Sequence, residues 1–236
     1  MSDLAFIDLV IFDCDGVLID SEPIASRTMA AAMRAAGAEI TSEEAHVRFT
    51  GNSLATICRI FADEYGFSDV DTMIEGWSGE LYREFEASLT SMTGIEEIVA
   101  GLGRPVCVAS NSNLDRLRRS LGLLPLWARF DPHVFSAEMV PLPKPAPHLL
   151  LLAAERFGAR PERTVMIDDS AHGIEAARAA GMPGIGFVDP RDPRPGRREL
   201  LLEAGASGVA EGAAELRPLI EAVNTRLAAS SALVND

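Results

Sequence analysis

Two hydrophobic patterns take turns along the chain. One is the short unbroken apolar run. Leu9–Phe12 in "DLVIFDCDG" ends in acidic residues and a glycine, and "PVCVAS" (Pro105–Ser110), "RTVMIDD" (Thr164–Ile167 ahead of two aspartates) and "GIGFV" (Gly184–Val188) follow it. Runs this short, without polar alternation, predict strands covered on both faces, as in a parallel sheet. The other pattern is the helical stripe: Ile95, Ile98, Val99 and Leu102, then Leu114, Leu117 and Leu121. "PAPHLLLLAAERFG" opens on prolines and stops at Gly158, and "SAHGIEAARAAG" runs from a Ser170 cap to Gly181, so both carry helix start and stop signals. Strand and helix in alternation predict a doubly wound α/β domain whose site lies at the carboxyl ends of its strands.

The stretch from about residue 18 to 91 breaks this alternation. It has no strand pattern but three or four helical stripes: Ala25, Met29, Met33 and Ala36; Leu54, Ile57, Cys58, Phe61 and Tyr65; Val70, Met73, Ile74, Trp77, Leu81 and Phe85. Thr41 with Glu44 has the spacing of a capping box. The expected organisation is an α/β core of residues 1–17 and 92–236 with an all-helical insertion at 18–91. "DPRDPRPGRR" (Asp189–Arg198) reads as a polar, proline-rich surface loop.

At 236 residues and 47% hydrophobic, the chain is long enough to bury a sizeable core. A net charge of −14 argues against nucleic acid and anionic membranes, which bind through clustered cations. No run approaches the roughly 18–20 apolar residues of a membrane span, and the N-terminus lacks a basic start and apolar core, so a cytoplasmic protein is expected. Cys14, Cys58 and Cys107 are odd in number and widely spaced, which fits free thiols in a reducing compartment. An anionic small substrate stays open, provided that a lysine, backbone amides or a metal supply positive charge locally.

Four carboxylates stand just past two of the strands: Asp13 and Asp15, then Asp168 and Asp169. In one parallel sheet they gather at one edge, where each pair about 5 Å apart repels by roughly 3 kcal/mol at an effective dielectric near 20. A cation is required. All-oxygen ligands favour Mg²⁺, and no His or Cys stands at zinc spacing. The second strand ends in "SNSN", where Ser110 and Asn111 offer hydroxyl and amide donors, and a helix starting near Asn113 is expected to offer free amides to an anion. Lys144 in "PLPKPAP" is the sole lysine beside 20 arginines, a compact charge presented from a stiffened loop. Metal, donors and lysine together describe a phosphoryl site.

At these residues the chain resembles the haloacid dehalogenase-like superfamily, in the branch with a small helical cap after the first strand. "FDCDGVLIDSE", "VASNSN", "PKPAP" and "VMIDDSAHGIEAARAAGM" fall in the family's order and cover nearly the whole chain. The resemblance implies that Asp13 attacks phosphorus to form an aspartyl phosphate, and that Asp15 protonates the leaving oxygen and later activates water. It implies that Ser110 and Lys144 hold the phosphoryl group. Mg²⁺ would be bound by Asp13, the Asp15 backbone carbonyl and Asp169, with Asp168 ligating or orienting a water.

Asp15 favours phosphoryl chemistry over dehalogenation, and a lysine-free insertion argues against phosphonate cleavage. Ala25 and Asn113 stand where β-phosphoglucomutases carry a histidine and a basic residue, so the phosphomutase is the alternative rather than the first reading. The motifs resemble bacterial sugar-phosphate phosphatases, including the 6-phosphogluconate type, and a small phosphate ester is the expected partner of a monomer or weak homo-oligomer. Substrate choice is expected on the cap, at Arg48, Thr50, Gly51 and Asn52, with hinges near Asp20–Pro23 and Ser91–Gly94. The rival from another class is a phospho-accepting receiver or a binding protein. His46, His133, His148 and His172 read as surface or helix-end residues, with His172, three residues beyond Asp169, the exception to watch near the acidic pair; Trp77 and Trp127 read as core, and Arg116, Arg118 and Arg119 as a solvated helix face.

Overall fold

The structure, a computed structural model, describes residues 4–51 and 54–234. Six parallel strands form one sheet in the order β3-β2-β1-β4-β5-β6. They are β1 (Leu9–Phe12), β2 (Val106–Ser110), β3 (Val134–Ser136), β4 (Thr164–Asp168), β5 (Gly184–Val188) and β6 (Val209–Glu211). The four strands expected from apolar runs are β1, β2, β4 and β5. The other two, β3 and β6, have three residues each and lie at the sheet's edges, where the run is too short to stand out from a loop.

β1 is central, and all four of its side chains are inaccessible to solvent. Alternation along a strand sends Leu9 and Ile11 to one face and Val10 and Phe12 to the other. Leu9 and Ile11 join Cys107, Met166 and the helix α7 (His148–Phe157), through Leu149, Leu150 and Ala153, in one core cluster. On the opposite face Phe12 meets Phe130 edge-on at 6.0 Å. Burying a phenylalanine in this way contributes about 1.5–3 kcal/mol. Further along, α8 (Ala171–Ala179) and α9 (Arg197–Ala204) bring Ile174 and Leu201 against Val209 of β6, and α10 (Leu216–Val234) follows that strand.

The register decides which residues share an edge. Phe12 is opposite Val108 of β2 and Ile167 of β4, so Asp13 emerges level with Ala109 and Asp168. The Asp13 amide donates to the Ile167 carbonyl at 2.9 Å and extends the ladder by one residue.

The chain divides into two compact units, Met1–Ile19 with Ser91–Asp236, and Asp20–Thr90. The second is built from α1 (Glu22–Ala35), α2 (Ser42–Phe49), α3 (Leu54–Asp63) and α4 (Val70–Ser88). Met29, Met33, Ile57, Phe61 and Ile74 form its core, and Phe61 packs edge-on to Phe49 at 5.3 Å and to Phe67 at 5.7 Å. The Thr41 hydroxyl accepts from the Glu44 amide at 3.1 Å while the Glu44 carboxylate accepts from the Thr41 amide at 2.8 Å, which makes the expected capping box. Where the chain leaves the first unit, Ile19 bridges to Asp15 and Ser91. The Asp20 amide donates to the Thr90 carbonyl at 3.0 Å.

His46 is a helix-end residue, as expected, but not an exposed one. It is buried in the last turn of α2, with Nδ1 3.0 Å from the Ser26 hydroxyl and Nε2 3.9 Å from Glu22. Trp77 is half-buried against this core and donates to the Thr28 hydroxyl at 3.0 Å. Among the described residues no helix is long and apolar enough to cross a membrane.

Candidate active site

β1, β2 and β4 deliver their carboxyl ends to one place, and Lys144 is at its centre. Its Nζ donates to Asp13 Oδ1 at 2.8 Å, to Asp168 Oδ2 at 2.7 Å and to the Ala109 carbonyl at 3.1 Å. Three acceptors match the three protons of an ammonium group. Lys144 is 5% exposed and Asp168 fully buried. Burial works to lower the lysine's pKa, but the two carboxylates outweigh it and hold the ammonium above its ordinary range. Burial pushes the Asp13 carboxyl up to about 8, against the pull of Lys144 and with a further push from Asp168 and Asp169.

The loop that carries the lysine is fixed from β2. Asn111 donates through Nδ2 to the Lys144 carbonyl at 2.9 Å and accepts through Oδ1 from the Lys144 amide at 3.0 Å. The asparagine expected to present its amide to substrate therefore clasps the backbone of a lysine 33 positions further along the chain. Ser110 is buried at the end of β2, and its hydroxyl oxygen accepts from the Ser112 amide at 3.2 Å, which leaves the hydroxyl proton to donate elsewhere.

The helix after β2, α6 (Leu114–Arg119), corrects another expectation. Its first amides are not free for an anion: Leu114 donates to Glu138 at 3.0 Å and Arg116 to the Asn113 side chain at 2.7 Å. Arg116 does not belong to a solvated face either. Its guanidinium pairs with Asp15 Oδ1 at 3.0 Å while the Ser112 hydroxyl donates to Asp15 Oδ2 at 3.1 Å, so both oxygens of that carboxylate are held. Arg118 and Arg119 are exposed.

Asp168 Oδ1 accepts from the amide and hydroxyl of Ser170, at 2.9 and 2.6 Å, and the same hydroxyl caps α8 by accepting from Gly173. No side chain fits at Gly173, where a Cβ would fall 1.7 Å from Asp168 Oδ2. Gly16 closes the other side of the site: it has φ +75°, and a Cβ there would lie 3.1 Å from Asp169 Cγ, so the turn after Asp15 needs glycine for its conformation and for its clearance. Asp13, Asp168 and Asp169 each bring a carboxylate oxygen within 4.8 Å of the others. Three carboxylates gathered this closely offer hard oxygen donors, a set that fits a divalent cation such as Mg²⁺.

Asp169 has a partner that sequence reading missed. Arg197, the first residue of α9, donates to its backbone carbonyl and lies 3.4 Å from its Oδ2. Neither this arginine nor Arg116 stands out among 20. His172 is exposed on α8, away from the part foreseen for it.

The remaining expected residues belong to the helical unit. Arg48 pairs with Glu64, and its guanidinium carbon lies 5.1 Å from the Tyr65 ring centre. Gly51 is exposed with φ +83° and Thr50 ends α2. Asn52 lies outside the described residues. Cys14 and Cys107 are buried free thiols and Cys58 is a half-buried one. Burial, with Asp15 and Asp13 beside it, raises the Cys14 thiol well above its ordinary range, which keeps it protonated.

Residues 7–181 match the family model of the haloacid dehalogenase-like hydrolases. The 6-phosphogluconate phosphatase of Escherichia coli K12 is 32% identical over 188 residues, 79% of this chain and 85% of that protein. A phosphorylated carbohydrates phosphatase of Thermotoga maritima is 31% identical over 208 residues, 84% of this chain and 92% of that protein. A conserved haloacid dehalogenase-like protein of Agrobacterium tumefaciens superposes with a TM-score of 0.83 at 35% identity, covering 92% of this chain and 98% of its own. A family model matched over residues 7–181 and relatives above 30% identity over most of their length show kinship: the chain belongs to the haloacid dehalogenase-like hydrolase family.

Proposed function

We propose that the protein is a Mg²⁺-dependent phosphatase of phosphorylated sugars or sugar acids that works through an aspartyl phosphate. One observation carries the reading. A buried lysine is bonded at once to a strand-end carboxylate able to act as nucleophile and to a second carboxylate of an all-oxygen cluster. Phosphoryl transfer asks a protein for positioning and for neutralisation of charge more than for covalent chemistry, and this arrangement supplies both. The two curated relatives are named as phosphatases of 6-phosphogluconate and of phosphorylated carbohydrates, which supports the substrate class.

In this reading the Asp13 carboxylate attacks phosphorus and the sugar oxygen leaves. Lys144 and Ser110 hold the phosphoryl oxygens. Asp15, set by Arg116 and Ser112, gives a proton to the leaving oxygen and then takes one from the water that cleaves the acyl phosphate and frees Asp13. Asp13, Asp168, Asp169 and the Asp15 backbone carbonyl would hold the Mg²⁺. Bound there, it would neutralise the carboxylates and favour the ionised form of Asp13. Asn111 acts through Lys144, by fixing the loop that presents it.

The test is release of inorganic phosphate from 6-phosphogluconate and a panel of sugar phosphates with and without Mg²⁺, with Asp13→Asn in parallel. Mg²⁺-dependent release that disappears in Asp13→Asn is expected. A Mg²⁺-loaded wild-type protein that hydrolyses no phosphate ester of the panel would sink the proposal.

A further inference from the structure

The proline-rich segment Asp189–Arg198, expected to be a plain surface loop, is braced by ion pairs and reaches the acidic cluster through Arg197. Asp189 accepts from the Arg191 amide at 2.9 Å and from its guanidinium at 2.7 Å. The Asp192 side chain is 5% exposed; the Arg194 guanidinium grips both its oxygens, at 2.6 to 3.0 Å, and the Arg194 amide donates to it at 2.9 Å. Arg197 comes next, with its side chain 13% exposed. Its Nε lies 3.4 Å from Asp192 Oδ2, and its Nη2 donates to the Asp169 carbonyl while lying 3.4 Å from Asp169 Oδ2. The buried Nε makes no hydrogen bond and is held to Asp192 by charge alone, so turning this rigid planar fork gives up either that attraction or the bond to Asp169. Gly16 also closes against the Asp169 carboxylate, where a Cβ would lie 3.1 Å from Oδ2.

We propose that Arg197 is a positioning residue for the metal site: braced by the Asp192–Arg194 pair, it fixes the backbone and carboxylate of Asp169 in the orientation that binds the cation. The inference rests on the reading of Asp13, Asp168 and Asp169 as the Mg²⁺ ligands. Residues that orient a metal ligand commonly contribute about 10- to 100-fold in metal affinity. The opposite sign has a physical basis too, because a guanidinium this near the cluster repels a cation. Were Arg197 only a counter-charge for Asp169, its removal would tighten metal binding.

The sign is read by titrating the protein with Mn²⁺ alone and following the electron paramagnetic resonance of the free ion, with no substrate present. Wild type, Arg197→Ala, Arg197→Lys and Asp192→Asn are compared, and metal-free thermal melts report folding. Arg197→Ala is expected to weaken Mn²⁺ binding about 10- to 100-fold. Arg197→Lys, which keeps the charge but loses the fork, and Asp192→Asn, which loosens the brace, should weaken it by less. Affinity in Arg197→Ala within twofold of wild type, or tighter, overturns the inference. If that variant does not fold, wild-type affinity in both Arg197→Lys and Asp192→Asn overturns it equally. A wild-type protein that binds no Mn²⁺ overturns the metal reading itself, a result distinct from normal binding in wild type and variants alike.

Discussion

Replacing Lys144 by methionine removes one buried charge and almost no volume. At 2.7–2.8 Å from each of two carboxylates, the ammonium attracts each by about 6 kcal/mol at an effective dielectric near 20. Most of that is offset by the desolvation of the three groups. Removing one partner of a buried pair still costs about 3–5 kcal/mol, because the other charge stays buried and uncompensated. For a protein of this size the loss corresponds to about 6–20 °C in the metal-free melting temperature. The pH dependence has a definite sign. Asp13 already has a carboxyl pKa raised to about 8, and loss of the lysine raises it further. A carboxyl with a raised pKa costs stability as pH climbs from its ordinary range to its folded value; Asp13 is protonated in both folded proteins below about pH 8, so its share of the deficit relative to wild type should be absent near pH 4 and open above pH 8, where wild type ionises it and the variant does not. Lysine's own contribution, held by a raised pKa, fades only above its ordinary range near 10.5. Phosphate release should fall by at least the 10²–10³-fold typical of a lost electrostatic donor. Melts of EDTA-treated protein across that pH range, with turnover at saturating Mg²⁺, test the argument. A variant that melts within about 1 °C of wild type at pH 8 and turns over at wild-type rate would refute the central place given to this cation.

Two further outcomes follow from packing. Gly173→Ala puts a methyl group 1.7 Å from Asp168 Oδ2, so α8 or the carboxylate must move; turnover should fall at least tenfold and the metal-free melting temperature should drop, and a variant active at wild-type rate would show that α8 yields freely. Phe61→Ala empties the centre of the aromatic cluster of the helical unit and should cost about 3–5 kcal/mol by denaturant unfolding of that unit, with a loss under 1 kcal/mol counting against the packing described.

What could be read from sequence follows from burial. β1, β2, β4 and β5 are covered on both faces and announce themselves as apolar runs, whereas the three-residue edge strands β3 and β6 have too little buried surface to leave a pattern. Asp13 and Asp168 were legible because each ends such a run, and Lys144 because it has no competitor of its kind. Arg116 and Arg197 were not: their partners stand 101 and 28 positions away, and only the register of the sheet brings them together. The amides at the start of α6 were misread for a local reason. A cap predicts where a helix starts, but not that a carboxylate from another segment, here Glu138, takes the Leu114 amide.

The junction of the helical segment has a consequence for how this chain can be altered. Ile19 and Ser91 are paired, and so are Asp20 and Thr90, so a segment of some seventy residues begins and ends at one point. Domain insertion succeeds where the two ends of the inserted piece lie close together. Such a segment is interchangeable in principle: residues 20–90 can be exchanged for the equivalent piece of a relative, or replaced by a short linker, without rethreading a strand of the sheet. Chimeras joined between Ile19 and Ser91 would then test whether the helical segment decides which ester is accepted.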